Sequence, residues 1–306
     1  VELQQIRYVI AVAETGNFTR AAERCYVVQS ALSHQIAALE RELGTKLFAR
    51  TSRRVELTAA GQAFLPAARA CLEAADRSVT EAAAAAGHVR GHLRVGMIPT
   101  VTALDVPALL REFHQQYPQV RIALRVGRSD EMVAAIRSGE IDLAVLGLPE
   151  SDPPRAVRCR ELRRDRHAAI VDADHRLAGS EAVTLQDLAH ETFADFPAGT
   201  PGRAQSDLAF TRSGLSREVT FEVMDADLLL DLVRNRLAIT LLPSAMAIED
   251  PELVTIPLAE GPTRIEYLAW SDFNPTPATT AFLDLLDIDQ NGKQLTRGDG
   301  SAHPAM

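Results

Sequence analysis

The sequence predicts an α+β multidomain protein: a front segment of three short helices and a two-stranded wing, one long helix, and an α/β body. Three observations carry this. At 306 residues the chain is long for a single core. Its apolar periodicity changes near His92 from helical spacing to strands alternating with helices. Its charge is also uneven, since residues 1–57 hold eight Lys/Arg against six Asp/Glu, a net +2 within a chain of net −9. A small basic module joined to an acidic body that avoids phosphates has this asymmetry.

The composition, 46% hydrophobic and 24% charged, is that of a globular protein and excludes a disordered or fibrous one. The richest apolar run, Leu237 to Ile248, is interrupted by Thr240, Pro243 and Ser244, well short of the ~18 residues that a membrane helix needs. No basic segment with a greasy core and cleavage site opens the chain, so a cytoplasmic protein with no membrane partner is expected. Cys25, Cys71 and Cys159 are too few and too scattered for a disulfide framework, and structural thiols are the expectation.

The elements follow in order. Leu3, Ile6, Val9, Ile10 and Ala13 recur at helical spacing until Gly16-Asn17 ends the first helix. Thr19 is the expected cap of a second, with Ala21, Ala22 and Cys25 inward. Tyr26 to Val28 make a turn, and a third helix from Gln29 to Leu43 buries Leu32, Ile36, Leu39 and Leu43 before Gly44 stops it. Residues 46–57 alternate around a polar turn, as a wing does. Thr58 then caps an Ala-rich helix reaching Ala86, kinked at Pro66, whose stripe of Phe64, Leu65, Ala68, Cys71, Leu72, Ala75 and Val79 calls for a partner helix. Self-pairing into a homodimer is the simplest way to cover it.

In the body, strands are predicted over Leu93–Gly96, Val120–Val126 and Ile141–Leu146, with helices over Val106–Tyr117 and Glu131–Ser138 between them. Further strands are expected near Ala168–Val171, Thr192–Ala194, Val219–Val223, Ala238–Leu241 and Ile265–Trp270. Helices are expected near Leu185–Leu188, Gln205–Arg212, Asp227–Val233 and Ala278–Leu286. This alternation predicts a mostly parallel sheet covered on both faces. Residues 290–306 are polar and aperiodic, and are expected not to pack.

A helix-turn-helix places polar residues at one end of its second helix, where base edges in the major groove are read. Gln29, Ser30, Ser33, His34 and Gln35 are so placed, with the glutamines suited to adenine. Arg50, Arg53 and Arg54 on the wing would follow phosphates or enter the minor groove. Double-stranded DNA is therefore the expected partner.

At this point the front segment resembles the LysR-type transcriptional regulators. The likeness is carried by Leu3-Gln-Gln-Ile-Arg-Tyr8, Ala21-Ala-Glu-Arg24, Gln29-Ser-Ala-Leu-Ser-His-Gln-Ile36 with Leu39-Glu40, Leu43-Gly-Thr-Lys-Leu-Phe-Ala-Arg50 and Leu57-Thr-Ala-Ala-Gly61. In the body it is carried by Gly91-His-Leu-Arg-Val-Gly96, Phe113 to Tyr117-Pro118, Gly139-Glu-Ile-Asp-Leu-Ala-Val145, Leu232-Val233 and Leu241-Leu-Pro243. This chain departs from the family at Val28, where a capping Ser or Thr is common, and at Asn235-Arg236, where small residues and Gly are common.

The resemblance implies a winged helix-turn-helix over 1–58, a linker and dimerisation helix over 59–90 and an effector-binding domain over 91–289. It also implies that this last domain is two-lobed, like the type II periplasmic binding proteins, with lobe I over 91–164 and 268–289 and lobe II over 165–267. The chain is expected to cross between lobes near Arg163–His167 and Arg264–Leu268. A homodimer assembling into a homotetramer, with effects on RNA polymerase, is implied as well.

In open α/β sheets, ligands bind beyond the carboxyl ends of the strands. This rule selects Pro99, Thr100, Val101 and Thr102 after the first strand, and Arg128 and Ser129 after the second. From the other lobe it selects Pro197, Gly199 and Thr200, together with Met224 and Asp225. The hydroxyls and Arg128 suit a small organic acid.

An enzyme is not expected. GxSxG, Walker, HExxH and GxGxxG motifs are missing, the histidines lack metal-ligand spacing, and neither cofactor nor metal is implied. A small-molecule-binding protein without a regulatory role is the alternative, and it would leave the first sixty residues without a purpose.

Overall fold

The computed structural model describes residues 1–50, 55–246, 250–272 and 275–286. They divide into two compact units, residues 1–88 and 89 onward. In the first, α1 (Leu3–Thr15), α2 (Phe18–Arg24) and α3 (Gln29–Leu43) precede an antiparallel wing of β1 (Phe48–Arg50) and β2 (Val55–Leu57), and α4 (Ala59–Ala85) follows. Val9, Val12, Ala21, Leu32, Ile36 and Leu39 form a closed core, with Phe18 edge-on to Phe48 at 5.8 Å. The cap of α2 is Asn17, not the expected Thr19. The Asn17 Oδ1 accepts the N–H groups of Thr19 and Arg20 at 2.8 and 3.0 Å, so the helix starts two residues earlier than a Thr19 cap would place it.

The Thr58 hydroxyl accepts the Gly61 N–H at 3.0 Å and donates to the Lys46 carbonyl, tying α4 to the wing. A Cβ at position 61 would stand 2.2 Å from the Leu47 carbonyl, so this crossing requires glycine. Along α4 only Gly61 and Ala68 are buried, and Val79 is exposed.

The second unit contains β3 (Gly91–Met97), α5 (Val106–Gln116), β4 (Val120–Val126), α6 (Ser129–Arg137), β5 (Leu143–Pro149) and a long β6 (Arg158–Asp172). After these come α7 (Leu185–Leu188), β7 (Thr192–Asp195), α8 (Pro201–Arg212), β8 (Glu218–Glu222), α9 (Ala226–Arg234), β9 (Thr240–Pro243), β10 (Leu253–Pro257), β11 (Thr263–Trp270) and α10 (Pro277–Leu285). One lobe is built on the order β4-β3-β5-β11-β6, and β6 continues into the other, where it pairs with β9 and β10.

The sheet is mixed, not mostly parallel as expected. β3 runs parallel to β4 and β5, whereas β6 and β11 are antiparallel to their neighbours because the strands joining the lobes return against the sheets they join. Pairing of β6 passes from β11 to β9 between Arg166 and His167. β11 pairs with β5 from Arg264 to Trp270, so the return crossing precedes it and the expected boundary at 267/268 lies too late. Packing of Leu93, Phe113, Leu143, Leu268, Trp270 and Phe282 fills one lobe, and Val171, Leu188, Phe193, Phe210 and Leu241 fill the other.

Candidate nucleic-acid interface and effector cleft

Leu32, Ile36 and Leu39 are fully buried at positions i, i+4 and i+7 of α3, so the opposite face turns outward. Gln29, Ser30 and His34 are exposed there, and Ser33 is half-buried. Gln35 behaves differently. Its Oε1 accepts the Gln5 Nε2 of α1 at 3.2 Å, so it braces two helices. The sequence reasoning passed over Tyr26 and Val28, which are 96% and 68% exposed just before α3 and set apolar surface beside its polar front. Tyr26 holds a left-handed φ of 56° in the turn. The Arg50 side chain, Arg53 and Arg54 lie outside the described residues.

Glu40 joins the wing to α3. Its buried carboxylate accepts Lys46 Nζ at 2.9 Å and the N–H groups of Leu47 and Phe48 at 2.9 and 3.3 Å. Burial opposes its ionisation, but these bonds outweigh burial and hold its pKa below the usual carboxylate value.

In the second unit a cavity of about 50 Å³ lies between the lobes, with room for a few water molecules. Strand ends and two helix N-termini converge on it. Arg264, 4% exposed, donates to the Thr100 hydroxyl, the Thr100 carbonyl and the Glu266 carboxylate, each at 2.7 Å. Glu266 also accepts the N–H groups of Thr102 and Ala103 and the Thr102 hydroxyl. Burial pulls the Arg264 pKa down, against the opposing charge of Glu266. A Cβ on Gly147 would stand 2.6 Å from Ile98 and 3.2 Å from Arg264 Nη1, so glycine gives this guanidinium its room.

Other polar groups at the cavity are also engaged. The Ser129 hydroxyl exchanges bonds with the Gly147 backbone at 3.1 Å. Arg128 pairs with Asp130 and donates to the Gly199 carbonyl at 2.7 Å, linking the lobes. His167 is pushed down to about 3 by burial and then by Arg264, so its imidazole is neutral, with Nδ1 3.4 Å from the Ser206 hydroxyl. Gln205 is 7% exposed, and neither its amide nitrogen nor its amide oxygen has a partner.

Of the residues selected from sequence, Pro99, Thr100, Arg128, Ser129, Thr200 and Met224 line the cavity. The other five do not. Val101 packs on the lobe core, Thr102 is held by Glu266, and Asp225 caps α9 through the Leu228 N–H. Pro197 and Gly199 act through carbonyls, accepting from Thr200 and Arg128. His167, Gln205 and Arg264 were missed because they come from the joining strands and the interior of α8, not from strand ends. The alternation Arg264-Ile-Glu266 in an apolar strand was the one signal available.

The second lobe's α8 opens toward the cavity at Thr200, Pro201 and Gly202. Its Thr200 cap makes no side-chain bond to the helix, because that hydroxyl donates to Pro197, and its first turn has no acid. Pro201 has no N–H, so the Gly202 and Arg203 N–H groups are left without an intrahelical acceptor.

An outward polar helix in a helix-turn-helix, together with a cleft between two α/β lobes, defines a DNA-binding regulator with a small-molecule-sensing domain. Two family profiles match: "Bacterial regulatory helix-turn-helix protein, lysR family" over residues 3–62 and "LysR substrate binding domain" over 86–288. The chain belongs to the LysR family of transcriptional regulators. It is 33% identical to the HTH-type transcriptional regulator ShiR of Corynebacterium glutamicum (strain R), covering 94% of this chain and 99% of that one. It is 34% identical to the regulator TfdS of Cupriavidus pinatubonensis over 93% and 97% of the two chains. Full-length CbnR, solved with its target DNA, is similar at a TM-score of 0.68 and 28% identity, covering 93% of this chain and 98% of that one.

Proposed function

We propose that this regulator acts in the cytoplasm as a homodimer, paired through the part of the α4 stripe beyond Ala68 and assembled further into a homotetramer. Gln29, Ser30, Ser33 and His34 read base edges in the major groove, Gln35 steadies the reading helix, and Arg50, Arg53 and Arg54 bind phosphates. A small organic acid in the cleft shifts the balance between lobe arrangements, and with it DNA bending and access of RNA polymerase. One observation carries the ligand class. The cations at the cavity are already paired, while the N-terminus of α8 has no acid and no side-chain cap, and a carboxylate there would take the Gly202 and Arg203 N–H groups.

The test of the DNA-binding reading is a gel-shift titration with the gene's own upstream region and with random duplex. Ser33→Ala is expected to lose affinity for the specific duplex alone. Arg53→Ala is expected to lose it on both and to flatten the salt slope by about one. Equal loss on both duplexes for Ser33→Ala would overturn the assignment of α3.

A further inference from the structure

At the cavity, Thr100 is held by Arg264, Ser129 by Gly147, Arg128 by Asp130 and Gly199, and Asp195 by Arg217. Among the described residues, Gln205 is the lining side chain in which no polar atom is paired. A buried amide with both ends unmet is unfavourable, and native proteins rarely retain one without a ligand or water to complete it. Gln205 stands three residues beyond Gly202 on α8, so the two polar points are separated by about 4.5 Å along the helix.

We infer that Gln205 determines effector specificity, selecting carboxylic acids that carry a hydroxyl a few bonds from the carboxyl group. This rests on the reading of the cleft as an acid-binding effector site. The chemistry selects the hydroxyl. Gln205 offers an NH2 donor and a carbonyl acceptor side by side, and a hydroxyl accepts from the first while donating to the second. A ketone or a second carboxylate only accepts, which leaves the Gln205 oxygen facing lone pairs. An ammonium only donates. A C–H group at this point completes neither end, and a site built to bond a hydroxyl discriminates strongly against its absence.

The inference is tested by calorimetric titration of the full chain with paired acids small enough for the cavity: propionate against 3-hydroxypropionate, and butyrate against 3-hydroxybutyrate. The wild type is expected to bind the hydroxylated member of a pair at least about tenfold more tightly. In Gln205→Leu the preference is expected to vanish, with the plain acid bound within about threefold of wild type. A thermal midpoint no lower than wild type shows that this variant is folded. If acids bind but the hydroxyl makes no difference, or if Gln205→Leu keeps the preference, the role of Gln205 is overturned and the acid-binding reading stands. If the wild type binds neither member of either pair, the acid-binding reading itself falls.

Discussion

The front of α3 and the cleft between the lobes are both polar surfaces, built on opposite terms. On α3, Gln29, Ser30 and His34 lie open to solvent. In the cleft, Arg264 and Glu266 are buried and bonded to each other and to Thr100 and Thr102. The difference follows from the partner. A duplex brings its own dense charge and replaces water over a wide face, so side chains facing it need no internal partner. A small cavity admits few waters, too few to solvate a charge fully, so the charges in it are neutralised by the protein beforehand, and selectivity passes to neutral groups.

Removing one member of the cleft pair tests this contrast most severely. Arg264→Met leaves Glu266 buried without its cation and is expected to cost about 3–5 kcal/mol in urea unfolding, whereas Arg264→Met with Glu266→Leu should recover most of the loss. A double variant no more stable than the single one would count against a neutralised pair. In the front unit the corresponding group is Glu40, the buried charge that holds the wing. Glu40→Ala is expected to cost about 2–3 kcal/mol and to weaken DNA binding by displacing the wing, both measurable on one preparation.

The gentlest test is pH. The His167 pKa of about 3 in the folded chain lies below its ordinary 6.5, so the unfolded chain takes up the proton first as pH falls. The stability held by the neutral imidazole is therefore complete above about 6.5 and is lost toward about 3, at about 1.4 kcal/mol per pH unit. Subtracting the urea midpoints of His167→Gln from those of wild type across pH 7 to 5 isolates this contribution. A flat difference would show that His167 is not buried neutral.

Much of the fold was legible locally. The spacing of Leu32, Ile36 and Leu39, and Gly44 at a left-handed φ of 66°, fixed α3 within the chain itself. The strand Val120–Val126 was read with its observed bounds. The first half of β6 was not, since Arg158 to Asp165 is too charged to look like a strand. It is one because it pairs with β11, while Glu161, Arg163 and Arg164 keep their charges exposed and Asp165 is bonded to Ser244 and Ala245. In the cleft, the strand-end rule found Thr100, Arg128, Ser129 and Thr200, and had no means of finding Gln205, whose importance lies in partners it lacks.

By itself the sequence determined most of the helices and strands, which faces are apolar, and where basic and acidic character separate. These depend on neighbours within a few positions, where periodicity and capping act. Only the tertiary structure decided that Arg264 meets Thr100 across 164 positions, that Ser129 spends its hydroxyl on Gly147, and that Gln205 is left unmatched. Burial and pairing are properties of distant chain brought together, and no local pattern encodes them.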